Sequence, residues 1–301
     1  MTQSLDGQRF DIQLDDGAMA GREWGPRDRP IDLVFLHANG FCGSTYSSIL
    51  APLGDAGAHV VTLDLRGHGQ SSLEANPLKQ DNWNIHRDDL IAALDQIAPQ
   101  GAVMAGHSMG GTSSLLVAGA RPDLVKALVL VDPVFAPQGF YLYAKLPWVF
   151  TYWRTHFPMA KAALKRRATF PDRESALTAY TGRGAFKSWR EPFLADYLED
   201  GLTPDGEVFR LSCEPAFEAA CFAGQRHNPW KALKSVVAPI TVLRGEKFST
   251  LRLNAAHELE RRGATLTTVP GTSHFIPMEK PYVVRAALEQ ALALEMTGVP
   301  A

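Results

Sequence analysis

The stretch VMAGHSMGG, Val103 to Gly111, decides the fold, because it runs from an apolar strand pattern through a tight turn into a helix pattern. Its centre, Gly106 to Gly110, has the form Gly-x-Ser-x-Gly. In this context the serine lies on a sharp turn, and small residues two before and two after it let strand and helix approach closely. The amides and positive dipole end of the following helix favour an oxyanion beside the serine. We therefore predict Ser108 as a nucleophile.

Apolar runs and helical patterns alternate on both sides of this stretch. The predicted strands are a hairpin, Arg9 to Leu14 and Ala18 to Trp24 around Asp15-Asp16-Gly17, followed by Ile31 to His37, His59 to Leu65, Ala102 to His107, Ala127 to Asp132, Ile240 to Arg244 and Ala264 to Val269. The predicted helices are Thr45 to Ala58, Trp83 to Ala98, Met109 to Ala120, Leu251 to Arg262 and Pro281 to Met296. Near-continuous apolar strands that alternate with helices predict an α/β fold, with a mainly parallel eight-stranded sheet flanked by helices.

One long segment, residues 133–230, interrupts this alternation. It is rich in aromatic residues and helical stretches and shows no strong strand pattern. We predict a core domain formed by residues 1–132 and 231–301, with residues 133–230 inserted after the sixth strand as a helical cap.

Composition limits the classes of partner. The 301 residues are 46% hydrophobic and 21% charged, with a net charge of −2, which gives no electrostatic reason to expect nucleic acid or an anionic membrane. Three cysteines, none of them in a Cys-x-x-Cys pair, predict reduced thiols. The first fifteen residues do not resemble an export signal, and no apolar run is long enough to span a membrane, so the cytoplasm is the expected compartment. A monomer and a homodimer fit the sequence equally well.

Three further stretches, FLHANGFCGSTY (Phe35 to Tyr46), LDLRGHGQS (Leu63 to Ser71) and VPGTSHFIPMEKP (Val269 to Pro281), complete a pattern. With the Gly-x-Ser-x-Gly turn, the chain resembles the α/β-hydrolase family over essentially its whole length. The resemblance implies an oxyanion hole made by the backbone N–H groups of Met109 and Phe41, with the side-chain amide of Asn39 as an alternative donor. It also implies His274 as the general base, since the family order is serine, acid, histidine.

The acid of the triad is the point of departure from the family pattern. After the seventh strand the family usually has Gly-Glu-x-Asp, whereas this chain has Gly245-Glu246-Lys247-Phe248, and phenylalanine cannot accept a hydrogen bond from the imidazole N–H. Three readings remain. The acid is Asp132 at the end of the sixth strand, as in some members of the family; it is Glu246 in a shifted loop; or the site is incomplete. We favour Asp132.

The resemblance implies a serine hydrolase that cleaves a carboxylic ester, lactone or thioester of a small, largely apolar molecule, without a cofactor. Carbon–carbon bond hydrolysis and acyl transfer would use the same triad, and a weakly catalytic ligand-binding protein would explain the residue at position 248. No two histidines have metal-ligand spacing, so we expect no metal site. The expected substrate-binding residues are Phe41, Met109, Phe140, Trp148, Trp153 and Phe275.

Overall fold

The computed structural model describes residues 7–297, which form a twisted sheet, its flanking helices and one long insertion. Within these residues the strands are β1 (Gln8–Leu14), β2 (Gly17–Trp24), β3 (Leu33–Leu36), β4 (Val60–Leu63), β5 (Ala102–His107), β6 (Val125–Val131), β7 (Thr169–Phe170), β8 (Leu202–Asp205), β9 (Val208–Leu211), β10 (Ile240–Gly245) and β11 (Thr265–Val269). The main sheet has the order β1-β2-β4-β3-β5-β6-β10-β11. Strands β1 and β2 form an antiparallel hairpin, β2 is antiparallel to β4, and all later pairs are parallel. The predicted mainly parallel eight-stranded sheet is confirmed.

The helices cover both faces of this sheet. They are α1 (Ser47–Asp55), α2 (Asn84–Ile97), α3 (Met109–Ala120), α4 (Gln138–Tyr143), α5 (Pro147–His156), α6 (Pro158–Ala163), α7 (Arg173–Tyr180), α8 (Phe193–Gly201), α9 (Pro215–Ala223), α10 (Pro229–Leu233), α11 (Leu253–Arg261), α12 (Ile276–Glu279) and α13 (Pro281–Thr297). Alternate residues of β3 enter different apolar clusters. Val34 packs in the cluster that contains residues of α2 and α3, and Phe35 in the cluster with residues of α1 and α13. Burial on both faces explains why these strands are apolar throughout.

The register of the central strands determines where the polar residues meet. Gly106 of β5 pairs with Leu36 of β3 on one side and with Leu130 of β6 on the other. The carboxyl ends of these strands therefore lie side by side, and the residues that follow them share one edge of the sheet. In open α/β sheets this edge is where ligands bind.

The segment between β6 and β10 contains helices α4–α10. It also contains a small antiparallel sheet of order β7-β9-β8, which differs from the sequence expectation of no strands in this region. These strands are only two to four residues long, and β8 ends in Pro204 and Asp205. Strands so short and polar give no alternating pattern that could be read from sequence.

Candidate active site

The turn between β5 and α3 holds Ser108 in a backbone conformation that is rare for a residue with a side chain. Its φ is 55° and its ψ is −115°, and its N–H donates to the carbonyl of Val131 at 2.9 Å. A Cβ on Gly106 would lie 2.5 Å from the carbonyl carbon of Gly110, and a Cβ on Gly110 would lie 2.2 Å from the carbonyl oxygen of Leu36. The two glycines are therefore required because backbone approaches backbone at this turn.

Ser108 and His274 both line a cavity of about 420 Å³ at the carboxyl edge of the sheet. Ser108 is only 8% exposed. Its hydroxyl has no hydrogen-bonded partner within residues 7–297, although it shares the cavity with the imidazole. Catalytic hydrogen bonds in unliganded enzymes are often long and tighten only when substrate binds.

The imidazole of His274 is hydrogen-bonded to a carboxylate. Its Nδ1 lies 2.7 Å from Oδ2 of Asp132, the residue that directly follows β6. Asp132 is fully buried and, like Ser108, has a positive φ, of 44°. This geometry fixes the imidazole with Nδ1–H directed at the carboxylate, which leaves Nε2 to act as a proton acceptor.

The carboxylate of Asp132 is surrounded by donors. Oδ1 accepts from the backbone N–H of Gly245 at 2.8 Å and from the hydroxyl of Ser249 at 2.6 Å, and Oδ2 accepts from the backbone N–H of Thr250 at 2.9 Å. Burial alone would raise the pKa of this carboxyl group. The interaction with His274 and the bonds from Ser249 and Gly245 outweigh burial and hold the pKa below its ordinary value, so the group is ionised at neutral pH.

The other acid considered from sequence lies elsewhere. Oε2 of Glu246 accepts a hydrogen bond from the backbone N–H of Gly271 at 3.0 Å, and the residue is exposed. Phe248, at the position where the family pattern has aspartate, is 90% exposed with a φ of 53°. Of the two candidate acids, the structure brings Asp132 to His274 and gives Glu246 a different partner.

A buried chain of hydrogen bonds that sequence reasoning missed connects the loop after β3 with the histidine loop, residues 270–275 between β11 and α12. The N–H of Ala38 donates to the hydroxyl of Tyr46 at 3.2 Å, and that hydroxyl lies 2.8 Å from Nδ1 of His107. Nε2 of His107 in turn lies 2.9 Å from the carbonyl oxygen of His274. Burial lowers the pKa of His107 to about 3, so the ring is neutral and can accept on one nitrogen and donate on the other.

The loop after β3 carries the predicted oxyanion donors. The backbone N–H of Phe41 donates to the carbonyl of Ala38 at 3.1 Å, so it already has a partner inside the loop. The N–H of Gly40 donates to Nε2 of His68 at 3.0 Å, and the side-chain amide of Asn39 donates to the carbonyl of Glu218 at 3.0 Å. Met109, whose N–H is the other predicted donor, is the first residue of α3 and is buried.

The walls of the cavity come from the loop after β3, the insertion and the histidine loop. Besides Ser108 and His274, they are Ala38, Asn39, Phe41, Met159, Ala162, Ala163, Arg166, Tyr180, Arg183, Gly184, Ala185, Phe186, Glu218, Phe222 and Phe275. Of the substrate-binding residues expected from sequence, Phe41 and Phe275 belong to this set.

Phe140, Trp148 and Trp153, also expected in the pocket, lie outside this lining. The ring of Phe140 stacks on that of Trp153 at 5.0 Å, and Trp148 is 54% exposed and packs edge-on against Tyr143. These aromatics pack with each other in the insertion instead of facing the serine. Met109 is fully buried at the start of α3 and is likewise not part of the lining.

Two arginines give the cavity a polar side that the sequence did not reveal. Nη1 of Arg166 donates to Oε2 of Glu218 at 2.5 Å, and Nη2 donates to the hydroxyl of Tyr197 at 2.9 Å. Burial raises the pKa of Glu218, and the neighbouring guanidinium opposes that shift. Arg183 is exposed at the rim and, within residues 7–297, its side chain pairs with no carboxylate.

Neither a metal-binding cluster nor a membrane-spanning helix is present in the part of the chain that the structure describes. No group of three or more His, Cys, Asp or Glu side chains there could hold a metal ion. None of the described helices combines the length and the apolar character needed to cross a bilayer.

Known proteins share this architecture. The model of the alpha/beta hydrolase family matches residues 33–287. Esterase Rv0045c of Mycobacterium tuberculosis is 27% identical over 288 residues, which cover 91% of this chain and 85% of that protein. The 2-(acetamidomethylene)succinate hydrolase of Mesorhizobium japonicum is 25% identical over 263 residues, covering 85% of this chain and 86% of that protein.

Solved structures agree on the fold. A crystal structure of E-2-(acetamidomethylene)succinate hydrolase superimposes with a TM-score of 0.75 at 22% identity, covering 95% of this chain and 100% of that one. A thioesterase domain from the curacin biosynthetic pathway superimposes with a TM-score of 0.72 at 19% identity, covering 94% and 98%. With the family model matched over most of its length, this chain belongs to the alpha/beta hydrolase family.

Proposed function

We propose that this protein is a serine hydrolase that cleaves a carboxylic ester, lactone or thioester of a small, largely apolar substrate. The observation that carries the proposal is the 2.7 Å contact between Asp132 and His274, with His274 and Ser108 on one cavity. A serine, an imidazole and a carboxylate are the groups that acyl transfer through a covalent intermediate requires.

The reaction begins when Nε2 of His274 takes the proton of Ser108 as Oγ attacks the acyl carbon. Asp132 stabilises the imidazolium that forms, and the imidazolium then protonates the leaving alcohol or thiol. Water, deprotonated by the same imidazole, attacks the acyl-enzyme, releases the acid and restores Ser108. Because Asp132 is ionised and its four donors fix its orientation, it can hold the neutral imidazole in one tautomer before each proton transfer.

We assign the oxyanion hole to the backbone N–H groups of Met109 and Asn39. The N–H of Phe41, implied by the family resemblance, is already bonded to Ala38. Asn39 lines the cavity, and its backbone N–H has no partner among residues 7–297. One such donor contributes about 3 kcal/mol to transition-state stabilisation in a serine hydrolase.

The insertion acts in this proposal as a cap over the core formed by residues 1–132 and 231–301. Support comes from the lining, in which residues of the insertion, such as Met159, Phe186 and Phe222, face the core residues Phe41 and Phe275. Apolar walls suit an acyl or alkyl chain, and Arg183 at the rim suits a substrate that also carries an anionic group.

A short-chain p-nitrophenyl ester tests the proposal. We expect turnover by the wild type, loss of at least about 10³-fold in kcat for Ser108→Ala, and a covalent adduct with a phosphonate inhibitor on the wild type only. Cleavage of a β-diketone without ester turnover would favour carbon–carbon hydrolysis. Transfer to an added alcohol in preference to water would favour an acyltransferase, and tight ligand binding without any turnover a binding protein.

A further inference from the structure

The charge of the chain is unevenly distributed, and the most basic segment lies in the cap. Residues 133–170 include six lysines and arginines and no aspartate or glutamate. The other residues therefore hold 24 basic side chains against 32 acidic ones. The net charge of −2, from which we expected no anionic-membrane partner, averages over these two parts and conceals a strongly basic segment.

The same segment exposes most of the large apolar side chains on the described surface. Thirteen large hydrophobic residues are exposed among the side chains that the structure describes up to position 294, and seven of them lie between positions 142 and 164. They are Leu142, Tyr143, Leu146, Trp148, Tyr152, Met159 and Leu164. Apolar residues concentrated in this way on a surface indicate an interaction site, whereas single exposed ones do not.

Helix α5 shows this most clearly. Its exposed positions 148, 151, 152, 155 and 156 have the spacing of one helix face, and that face carries Trp148 and Tyr152. Val149 and Phe150 are buried on the opposite side. A helix at an ordinary protein surface would present charged or small polar groups at all of its exposed positions.

This surface continues to the entrance of the cavity. In α6, Ala160 and Ala163 are buried, whereas Met159 and Ala162 are exposed and also line the cavity beside Ser108. Lys161 and Lys165 are exposed next to them. Whatever covers the exposed face of α5 and α6 therefore adjoins the route to the nucleophile.

We propose that the cap surface, defined as the exposed residues of positions 142–165, docks on an anionic lipid surface. Tryptophan and tyrosine prefer the boundary between hydrocarbon and water, and lysine side chains beside them attract anionic headgroups. A second copy of the chain is the competing occupant. Two-fold association would bring this surface against itself, and a patch with lysines and no carboxylate repels its own copy.

Sedimentation with vesicles tests this proposal with the full chain. We expect binding to vesicles of phosphatidylcholine with 30% phosphatidylglycerol, at least about tenfold stronger than to pure phosphatidylcholine, and weakening as salt increases. Lys161→Glu with Lys165→Glu should reduce binding to the anionic vesicles at least about tenfold. Trp148→Ser with Tyr152→Ser should also weaken binding, because the apolar anchor is lost.

A matched control changes the net charge equally at another place. Lys231 and Lys234 are exposed on and beside α10, and their replacement by glutamate should leave vesicle binding within about twofold of wild type. Turnover of a soluble short-chain ester reports folding and the active site separately in every variant. Equal binding to neutral and anionic vesicles, no binding at all, or a dimer in solution that Trp148→Ser dissociates would overturn the proposal.

Discussion

Asp132 and His274 are 142 residues apart in the chain, yet Oδ2 of the first lies 2.7 Å from Nδ1 of the second. The contact arises because β6 ends next to β10, and Gly245 at the end of β10 donates to the same carboxylate. A phenylalanine at position 248 is therefore compatible with an intact acid–imidazole pair, since the neighbouring strand carries the acid.

Replacement of the acid separates the two candidates. We expect Asp132→Asn to lower kcat on the order of 10⁴-fold, the loss seen in serine proteases, because an amide supports the wrong imidazole tautomer. Glu246→Gln should keep kcat within about threefold, since Glu246 bonds to the N–H of Gly271 and not to His274. Steady-state kinetics on one ester, with urea unfolding as a check on stability, show which residue is the acid of the triad. A large loss of kcat for Glu246→Gln with little change for Asp132→Asn would assign that role to Glu246.

Asn39→Ala tests the assignment of the oxyanion donor. A backbone donor survives the change, so we expect kcat to fall less than about tenfold. If the side-chain amide were the donor, kcat would fall about 10²- to 10³-fold. KM for the same ester provides the internal comparison, because loss of a transition-state contact lowers kcat without raising KM.

Arg183→Gln tests whether the rim of the cavity favours substrates that carry a negative charge. We expect kcat/KM for the p-nitrophenyl monoester of glutarate, which carries a carboxylate, to fall roughly tenfold. The value for neutral p-nitrophenyl butyrate should stay within about twofold. An equal change for both esters would show that Arg183 does not contact the acyl group. Lys187→Gln, a nearby exposed change outside the lining, is the control.

Gly110→Ala tests the close backbone contact beside Ser108. The added Cβ would meet the backbone oxygen of Leu36 at 2.2 Å, which cannot be relieved by a side-chain rotation. We expect a loss of about 3 kcal/mol or more in the free energy of unfolding, measured with urea. Gly139→Ala in α4, where a Cβ meets nothing within 4 Å, should change stability by less than about 1 kcal/mol and in the stabilising direction.

Buried neutral histidines predict loss of stability in acid. Burial lowers the pKa of His37 to about 4 and those of His68 and His227 to about 3. Between pH 6.5 and these values the unfolded chain binds more protons than the folded one, so the free energy of unfolding falls as pH falls. The loss at pH 5 is roughly 2 kcal/mol for each such histidine.

Two carboxyl groups act in the opposite sense. Burial raises the pKa of Asp64 and that of Asp196 to about 6, so the folded state binds more protons at these groups and the free energy of unfolding rises as pH falls from 6 to 3.8. The buried histidines outnumber these two groups. Urea unfolding at pH 7.5 and pH 5 should show a smaller difference for His227→Asn than for wild type. The exposed control His257→Asn should leave the difference unchanged. A wild-type stability that does not fall between these pH values would contradict the prediction.

The sequence predicted the main sheet well because its strands are buried on both faces and their apolar runs are bounded by turn residues. The site of Ser108 could also be predicted from sequence, because Gly106 and Gly110 mark a close backbone approach that few turns share. The residues that form the walls of the cavity could not be predicted from sequence. Arg166 and Glu218 are 52 positions apart, and only folding of the insertion brings them together.

Aromatic content was a poor guide to the pocket. The run around Phe140 and Trp153 suggested a lining because bulky apolar side chains favour ligand pockets, but the two rings stack on each other. Helical spacing shows which residues share a face and not what that face meets. The partner of a face depends on contacts between distant segments.

The location of Asp132 immediately before the insertion has a mechanical consequence. The carboxylate that orients the imidazole belongs to the peptide from which the inserted segment departs, whereas an acid after β10 would sit on a loop that ends within the core. In the proposed mechanism, a displacement of residue 133 would therefore move the carboxylate as well, so movement of the inserted segment and loss of proton transfer would be coupled.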